Sequence, residues 1–126
     1  MKHLTAREEV LMNMFWDNGP MHVRDVLKLF PEPKPHFNTV STIVRILENK
    51  DFLDHETVGN SHRYFAKVSR DDFKRGTLRD VITRYFDNSL KGMMSALVAD
   101  ENLSDDEIRD LIQVVQSASK EKENKG

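Results

Sequence analysis

Residues Phe37 to Lys50 read FNTVSTIVRILENK, and the meaning of this stretch decides how the rest of the chain is organised. Wound as a helix of about 3.6 residues per turn, it puts Val40, Ile43, Val44 and Leu47 on one face. Asn38, Thr42, Arg45 and Asn49 fall on the opposite face, with Ser41 at its flank. The outward stripe offers short hydrogen-bonding side chains and one guanidinium, with no carboxylate along its centre. Asn pairs with adenine and Arg with guanine in the major groove of DNA, so this pattern suits a helix that reads base edges. The same wheel also describes a plain surface helix, and the neighbouring segments have to separate the two.

Working back toward the N-terminus, Thr5-x-x-Glu8 forms a capping box and starts a first helix at Thr5 or Ala6. Its inward stripe is expected to be Val10, Leu11, Met14 and Phe15, with Trp16 at the edge. Asn18-Gly19-Pro20 ends it, and Met21 and His22 predict a short extended piece. A second helix runs from Val23 to about Phe30, with Val23, Val26, Leu27 and Phe30 inward and Arg24, Asp25 and Lys28 outward. Pro31, Pro33 and Pro35 then force an extended connection, and Asn38 or Thr39 is expected to cap the third helix.

Forward of Lys50 the period changes. Residues 52–57 and 62–67 flank Val58-Gly59-Asn60-Ser61, which predicts a β-hairpin around a Gly-Asn turn. His62 and Arg63 stand near its tip and Lys67 at its base, so a cationic wing is expected. Three helices followed by such a hairpin make a winged helix-turn-helix, in which helix three enters the groove and the hairpin touches the adjacent phosphate backbone.

The remainder is helical. Ser69-x-x-Asp72 opens a helix to about Phe86 that carries Leu78, Val81, Ile82 and Tyr85 on one stripe. Asp87-Asn88-Ser89 interrupts it. Leu90 to Ala99 follows, with Leu90, Met93, Met94, Leu97 and Val98, and Ser104-x-x-Glu107 caps a last helix bearing Ile108, Leu111, Ile112 and Val115. So small a unit cannot cover these stripes by itself, and a second copy of the chain is the economical partner. The competing arrangement folds the stripes back onto the winged helix. The fold class is therefore mainly α: a winged-helix domain over 1–68, a helical dimerisation domain over 69–119, and a charged tail, 120–126, expected to be disordered.

Composition narrows the functional classes. Hydrophobic residues make up 38% of the 126, and no apolar run approaches the roughly 18–20 residues a bilayer span requires. MKHLTAREEV has acidic residues where a signal peptide has its apolar core, which predicts a cytoplasmic protein without membrane insertion. The chain has no cysteine, which removes thiolate metal sites, iron–sulfur clusters and cysteine nucleophiles. Neither G-x-S-x-G, a phosphate-cradling glycine loop nor H-E-x-x-H occurs, so neither an enzyme nor a cofactor is expected. Asp105, Asp106 and Glu107 suit the first turn of a helix through its dipole. His36, His55 and His62 could approach one another in a folded wing, but no histidines have the spacing of a helical ligand pair, and no metal site is predicted. The net charge of −2 is unusual for a nucleic-acid binder. A local cationic patch still acts over about 8 Å at physiological salt.

The chain resembles the BlaI/MecI-type repressors, the family that controls β-lactamase and methicillin-resistance genes and includes copper-responsive members. The resemblance rests on Leu4-Thr5-x-x-Glu8, Phe15-Trp16-x-x-Gly19-Pro20, Val23-Arg24-x-Val26, Asn38-Thr39-Val40-x-Thr42-x-x-Arg45-x-Leu47-x-x-Lys50, Arg63-Tyr64 and Leu103-Ser104-x-x-Glu107-Ile108. It covers residues 4 to 116. It implies a homodimeric repressor that binds operator dyads, with base contacts from Asn38, Thr39 and Thr42; Arg45 is added from the helical wheel. Asn38 replaces a lysine common in the antibiotic-resistance members. Those members are cut at an Asn-Phe bond by a protease linked to a membrane sensor, and the corresponding positions here are Ala96-Leu97. The cysteine-based copper response has no ligands in this chain. A second functional class, a winged-helix module that contacts another protein without sequence-specific DNA binding, is kept open by the −2 charge and the single arginine on the reading stripe.

Overall fold

The computed structural model describes residues 3–101 and 103–125, with the side chains of 101 and 118–125 excepted. Its elements are α1 (Ala6–Asn18), α2 (Val23–Lys28), α3 (Phe37–Asn49), β1 (Leu53–Val58), β2 (Ser61–Ala66), α4 (Arg70–Tyr85), α5 (Leu90–Glu101) and α6 (Asp105–Lys125). This is the order of a winged helix-turn-helix followed by further helices.

Thr5 caps α1 as its capping box predicts, but the buried face is rotated from the expected one. Glu8, Leu11, Met12 and Phe15 are buried, whereas Val10 is 47% exposed and Met14 only half-buried. These four positions follow the i, i+3, i+4, i+7 rule of a buried helical stripe. A hydrophobicity count passes over Glu8, the first of them, and so turns the face. Glu8 is tolerated inside because Lys50, at the C-terminal end of α3, reaches it: Nζ lies 2.7 Å from Oε1 and 3.0 Å from Oε2. The Thr5 backbone N–H donates to Oε1 at 2.8 Å. Burial alone pushes the Glu8 carboxyl up; Lys50 and Thr5 outweigh it and hold the group below the usual carboxylate range. One ion pair thus ties α1 to the end of α3.

Helix α2 is shorter than expected. Its last carbonyls turn to Lys34, whose Nζ donates to the Lys28 and Phe30 oxygens at 3.1 and 2.6 Å. Helix α3 starts at Phe37, with His36 as its cap in place of the expected Asn38 or Thr39. His36 holds an extended conformation, and its Nδ1 accepts from the Asn38 N–H at 3.0 Å, the role a serine or asparagine usually takes. At the other end Asp51 adopts φ 67, and the Asp51 and Phe52 N–H groups donate to the Glu48 and Leu47 oxygens. This is a Schellman closure with aspartate where glycine is the easier residue.

The hairpin has the predicted turn, with Gly59 at φ 62. Strands β1 and β2 are antiparallel, with Leu53 opposite Ala66 and Thr57 opposite His62. Met21 extends the pairing: its N–H and C=O exchange hydrogen bonds with Tyr64 at 2.9 and 2.8 Å. Phe15, Val26, Val44, Leu47, Phe52 and Leu53 fill the core beneath the wing.

Compactness divides the chain at Asp80/Val81 instead of after Val68. The first turns of α4 belong to the first unit because Phe73 packs against Trp16 and Phe52, at centroid distances of 5.5 and 5.9 Å. The Trp16 indole N–H donates to the Val68 oxygen at 2.8 Å, and Arg70 pairs with Asp17 at 2.6 Å. In the second unit Ser89 caps α5 and Ser104 caps α6. Helix α6 runs to Lys125, where a disordered tail was expected; lysine and glutamate are good helix formers.

Candidate nucleic-acid interface

The outward stripe of α3 is built as its periodicity demands. Val40, Val44 and Leu47 are at most 1% exposed, and this anchors the helix by its inner face. Asn38, Thr42, Arg45 and Asn49 are all exposed on the other. The Thr42 hydroxyl donates to the Asn38 carbonyl at 2.8 Å, so what it offers outward is an acceptor lone pair. Arg45 Nη2 sits 3.5 Å from that hydroxyl, at the outer limit of a hydrogen bond. Its planar fork thus keeps the donors that match the O6 and N7 atoms of guanine.

Ser41 and Thr39 lie on opposite flanks. Ser41 is half-buried on the wing side, in a groove of about 380 Å³ lined by Phe37, the start of α2 and the wing residues Ser61, His62 and Tyr64. Thr39 is half-buried on the other side, at a cavity of about 360 Å³ with Arg7, Val10, Phe30, Pro33 and Pro35. The structure therefore does not bring Thr39 together with the reading stripe.

The wing carries less free positive charge than its sequence suggests. Arg63 stands opposite Glu56 in the strand register and donates Nε–H to Glu56 Oε1 at 2.8 Å. Lys67 lies 3.7 Å from Asp51. The expectation of a cationic wing is corrected accordingly: its arginine and lysine face their own carboxylates. His62 is exposed, and its ring packs against that of His55 at a centroid distance of 4.1 Å. The His22 Nδ1–H donates to the His62 carbonyl at 3.0 Å, tying the wing to the N-terminus of α2. Arg24, exposed in the first turn of α2, lines the same groove and was not among the expected contacts. Its outward place in Val23-Arg24-x-Val26 was the signal that could have found it.

Glu48 projects from the wing-side flank of α3 and pairs with His55 Nδ1. The neighbouring Tyr64 phenol is pushed up by burial and by the Glu48 carboxylate, while the Arg45 guanidinium pulls it down.

From α4 onward every residue expected at a dimer contact is left at least partly open within one chain. Leu78, Tyr85, Leu90, Leu97, Leu111, Ile112 and Val115 are exposed, and Val81, Ile82, Met93, Met94 and Ile108 are half-buried. Val114, 65% exposed, joins them although it lies off the expected stripe. Met94, Val98, Ile108, Leu111, Ile112 and Val115 line an almost wholly apolar trough of about 410 Å³. Among the described residues no helix is long and apolar enough to cross a membrane.

Comparison with known proteins finds relatives along nearly the whole chain. The methicillin resistance regulatory protein MecI of Staphylococcus aureus strain N315 is 23% identical over 109 residues, covering 86% of this chain and 89% of MecI. The penicillinase repressor of Bacillus licheniformis is 20% identical over 114 residues, covering 90% of this chain and 89% of its own. A crystal structure of a mutant MarR from E. coli aligns with a TM-score of 0.48 at 10% identity, over 91% of this chain and 77% of that one. The sequence profile of the penicillinase repressors matches residues 4–117, nearly the whole chain, which therefore belongs to this family of DNA-binding transcriptional regulators.

Proposed function

We propose that this protein is a homodimeric repressor that binds a two-fold-symmetric operator. The observation that carries the reading is the α3 stripe: Asn38, Thr42, Arg45 and Asn49 exposed in a row on a helix whose opposite face is locked into the core. Asn38, Thr42 and Arg45 take the base edges, and Asn49 extends the contact at the C-terminal end. Ser41, Arg24 and His62 border the groove beside the stripe and take the phosphate backbone. Thr39 supports the first turn from its flank. The open apolar faces of α4, α5 and α6 support pairing with a second copy, which places two reading helices on one side of the duplex about 34 Å apart or a multiple of that. One guanidinium per copy is too little for tight binding, so dimerisation supplies much of the affinity.

Ala96-Leu97, at the family's cleavage position, lies inside α5 and lacks the Asn-Phe pair. A membrane sensor protease remains a partner in this reading only with a different specificity. Selection of bound duplexes from a random pool tests the main proposal. An enriched inverted repeat is expected, and recovery of no enriched dyad overturns it.

The paired wing charges favour a second reading, a winged-helix module that contacts another protein. It differs in salt dependence: a DNA reader loses affinity steeply as salt rises, whereas this module shows weak, salt-insensitive retention on DNA.

A further inference from the structure

We propose that Glu48, Asp54 and His55 form a site for a divalent cation of the zinc and nickel class, and that filling it strengthens the grip on DNA. The second half rests on the DNA-binding reading above; the first does not. One donor atom from each of the three residues lies within 4.8 Å of the other two. A tetrahedral ion with bonds of about 2.1 Å needs donors roughly 3.4 Å apart, so small side-chain adjustments close the set. The imidazole is what separates this cluster from an ordinary acidic patch, because a nitrogen ligand favours zinc, nickel or copper over calcium and magnesium.

The scaffold holds the donors in place. The His55 backbone N–H donates to Asp54 Oδ1 at 2.8 Å, which folds that carboxylate back beside the imidazole and leaves its second oxygen for an ion. Leu53, 1% exposed, pins the start of β1 from below, and the Lys50–Glu8 pair and the Schellman closure fix the end of α3 that carries Glu48. The direct contact of Glu48 with His55 Nδ1 already brings two ligands together around a proton that a cation would replace. The His62 ring, tilted against that of His55 on the same face of the hairpin, packs beside the third ligand and limits its movement.

Charge gives the site its consequence. Two carboxylates at the junction of reading helix and wing repel the phosphates that this junction must approach. A bound dication offsets both and clamps the wing to α3.

The test uses the full chain freed of metal. Zinc is titrated in competition with a chromogenic chelator, and cobalt absorption reports nitrogen–oxygen coordination. One zinc per chain in the micromolar range is expected. His55→Gln and Glu48→Gln should each weaken binding at least about tenfold, and His36→Asn, which keeps the α3 cap, should leave it unchanged. Thermal unfolding of each metal-free variant checks that the fold persists. No saturable uptake, or wild-type affinity in both ligand variants, overturns the site. On a selected duplex zinc should tighten wild-type binding by about tenfold and leave His55→Gln unmoved. DNA binding that zinc does not alter overturns the second half and leaves the repressor reading standing. Failure of free and loaded protein alike to bind any selected duplex takes that half down with the repressor reading.

Discussion

Replacing Lys50 with Met removes the cation that makes Glu8 tolerable in the core while keeping most of the side chain's apolar volume. The Glu8 side chain is 6% exposed and that of Lys50 27%. Breaking a fully buried pair by deleting one partner costs about 3–5 kcal/mol. Here the Thr5 N–H still holds one Glu8 oxygen, and water reaches the lysine end, so about 2 kcal/mol is expected. The pH dependence identifies the cause. In the wild type the folded carboxyl lies below its usual range, so its contribution is fully present above the usual carboxylate range and is lost as pH falls through the folded value. In Lys50→Met burial is less opposed, the carboxyl moves up, and the folded mutant takes a proton earlier. The penalty at pH 7 should therefore shrink toward about pH 4. Urea unfolding followed by the fluorescence of Trp16, the only tryptophan, reads the unit that contains the pair. Protein concentration is held fixed so that oligomerisation does not enter. A penalty below about 0.5 kcal/mol, or one equal at both pH values, refutes the account of Glu8.

Asp51→Gly should stabilise the first unit by about 0.5–1 kcal/mol, since φ 67 costs glycine nothing and the exposed contact with Lys67 contributes little; urea unfolding measures it. Arg45→Ala should weaken operator binding by about 1–3 kcal/mol and relax one base position, whereas a uniform loss with a salt slope shallower by about one would mark a phosphate contact. Leu111→Asp places a charge on the open apolar face of α6 and should shift sedimentation from dimer to monomer, with operator affinity falling in parallel. Phe73→Ala should cost about 2–3 kcal/mol in the Trp16-monitored transition although Phe73 lies past residue 68, because its ring completes the aromatic contacts with Trp16 and Phe52.

Much of this protein is legible from local rules. Thr5-x-x-Glu8, Gly19-Pro20, the Gly59 turn and the Ser69 and Ser104 caps set element boundaries through interactions spanning three or four residues, and such spacing is visible in a sequence. The α3 stripe is legible for the same reason, since helical period alone separates Val40, Val44 and Leu47 from Asn38, Thr42, Arg45 and Asn49. His36 escaped as a cap only because capping rules favour other side chains.

What the tertiary structure decided involves partners far apart in the chain. Glu8 reads as a capping residue, and only the approach of Lys50 makes it a core position and turns the buried face of α1. Arg63 reads as a phosphate contact until the hairpin register sets it against Glu56. Phe73 moves the unit boundary into α4 by reaching Trp16. Glu48, Asp54 and His55 share no motif spacing, because a helix end and a strand start meet there across the turn at Asp51. In α3 local periodicity fixes which way a side chain faces, and only the packing of α1, α3 and the wing fixes the buried face of α1 and which charges each side chain meets.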